Sequence, residues 1–261
     1  MQNLITDYVL HLADNSLILG QQNSAWTGHG PILEQDIALS NISLDLIGQA
    51  RYFYQHAAKL LNEANGSSQH TEDSLAYLRT EREYKNLLLL EQDNGDWGKT
   101  IMRQFLFSSF QLLQFRKLKD SHDPQLKAIA EKSLKEIAYH LRWSSEWVIR
   151  LGDGTEESHE RMNRALADLW RFTGEFFTPA SYEDNLSLFY PCYDPSDLKD
   201  EWEARVINVL DEATLYTAEN QKMMKEAFML NGGKEGQHTE KLGYILAEMQ
   251  YLQRTYPGSE W

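Results

Sequence analysis

The stretch of residues 33–61 limits the possible folds most, because it predicts a long helix with polar groups beside its buried face. Its apolar residues recur at spacings of three, four or seven, which places them on one face of an α-helix. They are Leu39, Ile42, Leu46, Phe53, Ala57 and Leu60. A neighbouring line of the same period holds Asn41, Asp45, Gly48, Gln49 and Tyr52. Since the apolar face has to be buried, the carboxylate of Asp45 is expected to lie close to the core.

A carboxylate near the core needs a partner. Burying a lone ionised Asp is costly unless a hydrogen bond, a counter-charge or a metal ion compensates for its lost hydration. For Asp45, an arginine or lysine that reaches across the core would serve as well as a metal. All three kinds of partner are open at the level of the sequence.

The remaining chain is predicted to form further helices around this central one, because apolar residues recur at helical spacing along most of it. These helices are predicted over residues 3–21, 75–90, 101–115, 126–151, 162–177, 194–213 and 240–254. Asp123 and Pro124 form a good start for the helix that includes 126–151. Residues 178–194 are predicted to form an ordered surface loop. All 6 prolines lie between helices or at helix ends, and no segment alternates as a strand does, so the fold class is all-α.

The length and net charge of the chain restrict the classes of function that it could have. A chain of 261 residues, 42% of them hydrophobic, can bury a large core as the single domain 1–261. The net charge of −14 argues against nucleic acid or an anionic membrane as a partner. We find no basic leader and no apolar run of membrane-spanning length. The single cysteine, Cys192, fits a reducing compartment. We therefore expect a cytoplasmic protein.

A large helical chain rich in carboxylates invites a test for a di-iron site in a four-helix bundle. Such a site takes a Glu from each of two helices and a Glu-x-x-His pair from each of the other two. Literal Glu-x-x-His pairs occur at Glu156–His159 and Glu235–His238. Both lie beside glycines at predicted helix starts, whereas bundle ligands project from helix middles. We expect both pairs to be surface or capping residues.

The helix middles offer an incomplete ligand set. Its possible members are Asp14, Asp45, Gly48, Glu136, Tyr139 and His140. A glycine stands where the histidine paired with Asp45 would be, a phenol follows Glu136 at the third position, and helix 101–115 has no carboxylate. We interpret these positions as vestiges of a di-iron site in a bundle without working metal ligands. Ordinary roles are equally open, since Asp14 could form a salt bridge and Glu136 with His140 a helical pair.

Other catalytic patterns are weaker. The segment GGKEG at 232–236 lacks the spacing of a phosphate-binding loop and follows a helix, so it is predicted to be a turn with a helix behind it. A single cysteine with scattered histidines gives no sign of a catalytic triad. The abundant aromatic residues are expected mainly in the core, with some at an interface.

Four long segments resemble a known family. They are DIALSNISLDLIGQAR, NLLLLEQDNGDW, YHLRWSSEWVIRLGDGT and GGKEGQHTEKLGYILAEMQYLQRTYPG. They are similar to the C subunits of bacterial phenylacetyl-CoA epoxidase, also called the phenylacetate-CoA oxygenase complex. The resemblance extends from the first helix to Trp261. It implies a ferritin-like fold and a role as the non-catalytic member of that complex, with no catalytic, metal or cofactor residue to carry over.

The same resemblance implies partners and cofactors. A homologous A subunit would carry the di-iron centre, bind the phenylacetyl-CoA thioester and convert the aromatic ring to a 1,2-epoxide. A small B subunit and a reductase with flavin, an iron-sulfur cluster and NADPH would complete the complex. The C subunit would support the A subunit through a helical interface.

Two alternative functions are left open by the residues. In the first, the chain is an active di-iron oxidase in which Glu136 and His140 are joined by Asp14, Asp45 and one of Glu81 or Glu83. In the second, it is a self-assembling helical protein without an oxygenase partner. Stoichiometric iron would identify the first alternative, and a partner recovered on co-purification would exclude the second.

Overall fold

The computed structural model describes residues 2–188 and 190–259, which form 11 α-helices and no strand. The all-α class is therefore confirmed for this part of the chain. The helices are α1 Gln2–Ala25, α2 Leu33–Asn65, α3 Glu72–Tyr77, α4 Trp97–Leu118, α5 Pro124–Gly152, α6 Glu156–Trp170, α7 Ser181–Ser187, α8 Lys199–Glu212, α9 Ala218–Glu226, α10 Glu240–Met249 and α11 Tyr251–Thr255. Short 3-10 turns occur at Glu81–Glu83, Thr173–Phe177, Pro191–Tyr193, Ser196–Leu198 and Gly233–Glu235.

The long helices α1, α2, α4 and α5 form a bundle. Helices α1 and α2 are antiparallel, because Asp14 of α1 contacts Tyr54 of α2 while Gly20 lies against Ile47. Helix α5 begins as the sequence predicts, with the Asp123 side chain accepting hydrogen bonds from the N–H groups of residues 125 and 126. No helix in the described residues is long and apolar enough to cross a membrane.

Helices α2 and α4 run in parallel, which requires a long connection between them. Phe53 and Phe115 have ring centroids 5.9 Å apart, and one turn earlier Gln111 donates to Gln49 at 3.1 Å. The intervening residues 66–96 therefore return along the length of the bundle, and we call them the crossover. A bundle with one such crossover is ferritin-like. The expected fold is confirmed.

The predicted helix over residues 75–90 is wrong, because the crossover is helical only in α3 and the turn at Glu81–Glu83. Its run of four leucines, 87–90, is buried on all sides. Side chains of other elements also capture the N–H groups that a helix would use. Asp14 accepts from the N–H of Lys85 at 2.8 Å, and Glu175 accepts from that of Leu88 at 2.7 Å. Tertiary hydrogen bonds thus replace local ones.

Residues 178–194 form more than the surface loop that we predicted. They contain α7, and the side chains of Tyr182, Leu186 and Tyr193 are buried. The Tyr193 ring lies 4.9 Å from that of Tyr8 on α1, measured between centroids. The aromatic residues of the segment explain the difference, since each buries a large apolar area once it meets α1. Phe189, which also belongs to this prediction, lies outside the described residues.

Other predicted helices are confirmed with shifted ends. The helix predicted over 162–177 starts earlier, as α6, and gives way to a 3-10 turn after Trp170. The helix predicted over 240–254 is divided at Gln250, whose side chain donates to the carbonyl of Arg79 at 3.0 Å. The polar helix α9 was not predicted at all.

Candidate functional site

The most concentrated group of candidate ligands lies between α2 and α5. His140 Nε2 is 3.0 Å from Asp45 Oδ2, and one turn along, Gln49 donates to Glu136 Oε2 at 2.9 Å. Gln111 of α4 in turn donates to Gln49 at 3.1 Å. We call these five residues the α2–α5 seam. Helices α2 and α5 each contribute two polar residues four positions apart. Antiparallel packing of these two helices brings the two pairs face to face.

Asp45 is only partly buried, although the sequence predicts that it lies close to the core. Its side chain is 35% exposed, whereas that of His140 is fully buried. The partner is the imidazole of His140, so a hydrogen bond, one of the three kinds of partner that the sequence left open, is the one observed. Nδ1 of His140 and Oε1 of Gln111 are buried without a hydrogen-bond partner in the described structure. The seam is thus a hydrogen-bonded strip that reaches the surface at Asp45.

Gly48 and Tyr139 add no ligand to the seam. A Cβ on Gly48 would have no heavy atom within 4 Å, so this position faces open space. The Tyr139 side chain lies among the exposed large hydrophobic residues. Neither position places a donor atom between α2 and α5.

Asp14 belongs to a different cluster. It is fully buried, and it accepts hydrogen bonds from the Tyr54 hydroxyl at 2.6 Å, from the N–H of Lys85 at 2.8 Å and from both terminal nitrogens of Arg79. The Arg79 guanidinium also lies over the Tyr84 ring, 4.3 Å from its centroid. Burial alone would lower the pKa of Arg79, but the charge of Asp14 raises it. Asp14 is therefore saturated by a cationic side chain, a phenol and a backbone N–H.

The candidate ligands do not converge on one place. Asp14 meets α2 at Tyr54, nine positions beyond Asp45, which is about 13 Å along a helix. The two ions of a dinuclear centre lie about 3.5–4 Å apart. Among the described residues, no cluster of three or more His, Cys, Asp or Glu could hold a metal ion. The residues present therefore do not fit a di-iron centre.

The acids of the alternative ligand set also lie elsewhere. Glu81 and Glu83 are exposed on the 3-10 turn of the crossover. Glu83 Oε2 accepts from the N–H and the hydroxyl of Thr80, at 2.7 and 2.6 Å. These hydrogen bonds lower the pKa of Glu83. The carboxylate acts as a cap of its own turn.

The two Glu-x-x-His pairs differ in their surroundings. Glu156 is exposed, and His159 bonds to the carbonyl of Gly152 at 2.6 Å, so the predicted surface or capping role is confirmed for this pair. Glu235 is also exposed and accepts from the N–H of Ser181 at 2.7 Å. For His238 the prediction is wrong, because its side chain is fully buried in an ion pair with Glu91. The crossover covers this histidine.

A buried charge cluster was missed at the sequence level. Lys234 Nζ is 2.9 Å from Glu183 Oε2, and both side chains are almost fully buried. Glu175 accepts from the N–H groups of Leu88 and Gly232, at 2.7 and 2.9 Å. Burial raises the pKa of Glu175 despite these hydrogen bonds. The lysine within GGKEG is the sequence feature that could have indicated this cluster, and its role is structural.

The predicted turn at residues 232–236 is confirmed, and its glycines have a steric reason. A Cβ on Gly233 would lie 2.2 Å from the carbonyl oxygen of Asn86. Gly232 and Gly236 have positive φ angles of 130° and 77°, which favour glycine. The turn is thus fitted against the backbone of the crossover.

Two comparisons with known proteins each cover the whole chain or nearly all of it. The sequence profile of the family described as Phenylacetic acid catabolic protein matches residues 1–261. The chain is also 46% identical over 259 residues to the C subunit of the 1,2-phenylacetyl-CoA epoxidase of Escherichia coli (strain K12). That alignment covers 99% of this chain and 100% of the relative.

Proposed function

Because this chain belongs to the Phenylacetic acid catabolic protein family, we propose that it is a C subunit of a phenylacetyl-CoA epoxidase and is itself non-catalytic. The observation that carries the proposal is its full-length similarity to a protein named as that subunit. In this proposal, a homologous A subunit holds the di-iron centre and converts the ring of phenylacetyl-CoA to a 1,2-epoxide. The chain described here pairs with that subunit and stabilises it.

The way in which the buried carboxylates are satisfied supports a non-catalytic role. Asp14 is bound by Arg79, and Glu183 is bound by Lys234. Catalytic dinuclear centres instead leave several carboxylate oxygens directed at one point. Cationic side chains compensate the charge at both positions, so these carboxylates stabilise the fold.

The outer face of α2 supports pairing with a partner. Leu33, Ile37, Leu44 and Ile47 lie on this face, with Ser40 between Ile37 and Leu44, and all four apolar residues are exposed in the chain alone. The same face continues with Arg51, Gln55 and Lys59, an ordinary polar surface. We call the four apolar residues the α2 stripe. A stripe that ends halfway along a helix fits burial by a partner, and obligate interfaces commonly bury more than about 2,000 Å².

The other components of the complex belong to the same proposal. The small B subunit would bind the assembled pair, and the reductase would deliver electrons from NADPH through flavin and an iron-sulfur cluster. No cofactor is assigned to the chain described here.

Expression of the A subunit with and without this chain tests the supporting role. We expect the A subunit to be soluble, to retain iron and to form epoxide from phenylacetyl-CoA only when the two are produced together. Equal solubility and iron content of the A subunit in both cases would reject the proposal.

Iron loading of this chain alone tests the non-catalytic part. After anaerobic incubation with ferrous ion and desalting, we expect well below one iron per chain and no absorbance of an oxo-bridged ferric pair. About two irons per chain, the content of a dinuclear site, would favour the alternative of an active di-iron oxidase. Asp45, Glu136 and His140, which the α2–α5 seam brings together, would then be the first ligands to replace.

A further inference from the structure

His238 lies between two hydrogen-bond acceptors. Its Nε2 is 2.9 Å from the carbonyl oxygen of Tyr84, and its Nδ1 is 3.0 Å from Glu91 Oε2. A carbonyl oxygen only accepts, so Nε2 carries a proton. Glu91 also accepts from the N–H of Thr239 at 2.7 Å and from the amide of Asn86 at 3.2 Å. Both oxygens of Glu91 therefore face hydrogen-bond donors.

We infer that Glu91 and His238 form a buried carboxylate–imidazolium pair, a clasp that fastens the carboxyl-terminal helices to the crossover and weakens when the imidazolium loses its proton. With both ring nitrogens protonated, each one donates to an acceptor. After deprotonation, the lone pair of Nδ1 would face the negative charge of Glu91. Both side chains have no exposed surface, so solvent cannot relieve this repulsion.

The charges around the clasp favour the imidazolium. Burial by itself would lower the pKa of His238, but the hydrogen bond and the charge of Glu91, with a contribution from Asp14, raise it above 6.5. Asp14 is bound by Arg79, which tempers its effect. Lys241, in the first turn of α10, pairs with Asp93 at 3.8 Å. The imidazolium form of His238 is therefore stabilised mainly by Glu91.

The clasp joins parts of the chain that are far apart in sequence. Glu91 ends the buried leucine run of the crossover, while His238 and Thr239 directly precede α10. The Thr239 side chain caps α10, so Glu91 holds the residue that begins this helix. Loosening the clasp is expected to release α10 and α11 before the bundle itself unfolds.

The sign of the pH dependence follows from the raised pKa. The stabilisation is fully present below the pKa of an unfolded histidine, 6.5, and is lost as the pH rises through the folded-state value. Between the two values, the unfolding equilibrium constant should increase about tenfold per pH unit because the folded state holds one extra proton. Acidification below 6.5 should leave this contribution unchanged.

The test compares the full chain with its Glu91→Gln variant. A glutamine amide can donate to a neutral Nδ1, so the variant keeps the hydrogen bond without requiring the extra proton. Urea unfolding from pH 6 to 9 should show a rise of the unfolding equilibrium constant with pH in the wild type, confined to the interval between the unfolded and folded pKa values of His238, that the variant lacks. As a control, Glu240→Gln removes an exposed charge from the first turn of α10 and should retain the wild-type pH dependence.

Histidine ring NMR of the wild-type chain provides a second test that does not depend on any variant. At pH 6, below the raised pKa of His238, both ring nitrogens of His238 should be protonated, and its ring N–H signals should exchange slowly with solvent. An unprotonated Nδ1 at pH 6, or parallel pH profiles for wild type and Glu91→Gln, would overturn the inference.

Discussion

A cationic side chain can compensate a buried carboxylate as a metal ion does, and Arg79 has this role beside Asp14. Its guanidinium donates to both carboxylate oxygens and to the carbonyls of Leu75 and Glu83, at 2.6 and 2.7 Å. Arginine is suited to the position because its planar fork matches a carboxylate in two places. A single residue of the crossover thereby fixes α1 and α3 together.

We predict that Arg79→Met destabilises the chain by about 3–5 kcal/mol, because it leaves the buried charge of Asp14 uncompensated. The double variant Arg79→Met, Asp14→Leu should recover much of that loss, since removing both charges avoids an unpaired one. Urea unfolding at pH 7 measures both. As a control, Arg51→Gln breaks the exposed ion pair with Glu72 and should cost less than about 1 kcal/mol. A similar cost for the two arginines would contradict the assignment.

The partners of these residues lay beyond sequence reasoning. The spacing of Glu136 and His140 places them on one face of a helix, as expected, but it does not reveal that Gln49 and Asp45 face them. The sequence groups Asp14 with Asp45 as possible ligands of one site. How far Asp14 lies from Asp45 depends on how α1 and α2 are displaced along their axes. Side-chain packing along both helices sets that displacement.

At the scale of elements, helix periodicity was a reliable guide where a helix has one buried face. The central helix and those beginning near residues 101 and 124 follow it. It failed at residues 84–91, where the backbone N–H groups are claimed by Asp14 and Glu175 from other elements. It also failed at 178–194, because burial of aromatic residues against α1 has no local signature.

Two glycines offer a matched test of how tightly the elements fit. Gly233→Ala should destabilise the isolated chain by about 1–3 kcal/mol, the range for overpacking, because the new methyl group would lie 2.2 Å from a backbone carbonyl. Gly48→Ala, in the interior of α2 with open space around it, should instead stabilise it by up to about 1 kcal/mol. Thermal and urea unfolding measure both changes. A neutral Gly233→Ala would mean that the turn is not held against the crossover.

At the scale of the whole molecule, the α2 stripe forms part of the interface with the A subunit in the proposed assembly. Leu44→Asp should abolish or strongly weaken co-purification with the A subunit, because it places a charge in an interface that is expected to be apolar. Since Leu44 is 66% exposed, the stability of the isolated chain should change by no more than about 0.5 kcal/mol.

The control for this prediction lies on the same helix face. Gln55→Asp introduces the same charge beyond the apolar half of α2 and should leave co-purification intact. Pull-down of the A subunit and native mass spectrometry distinguish the two variants. Unimpaired pairing by Leu44→Asp would place the interface elsewhere on the molecule.

The separation of Glu91 from His238 has a consequence for biosynthesis. The two residues are 147 positions apart, and Lys234 follows its partner Glu183 by 51 positions. On the ribosome, the helices of the bundle emerge well before these basic groups do. The ion pairs of Glu91 in the crossover and Glu183 in α7 therefore form only after His238 and Lys234 have been synthesised, so these long-range contacts close after the bundle helices have emerged.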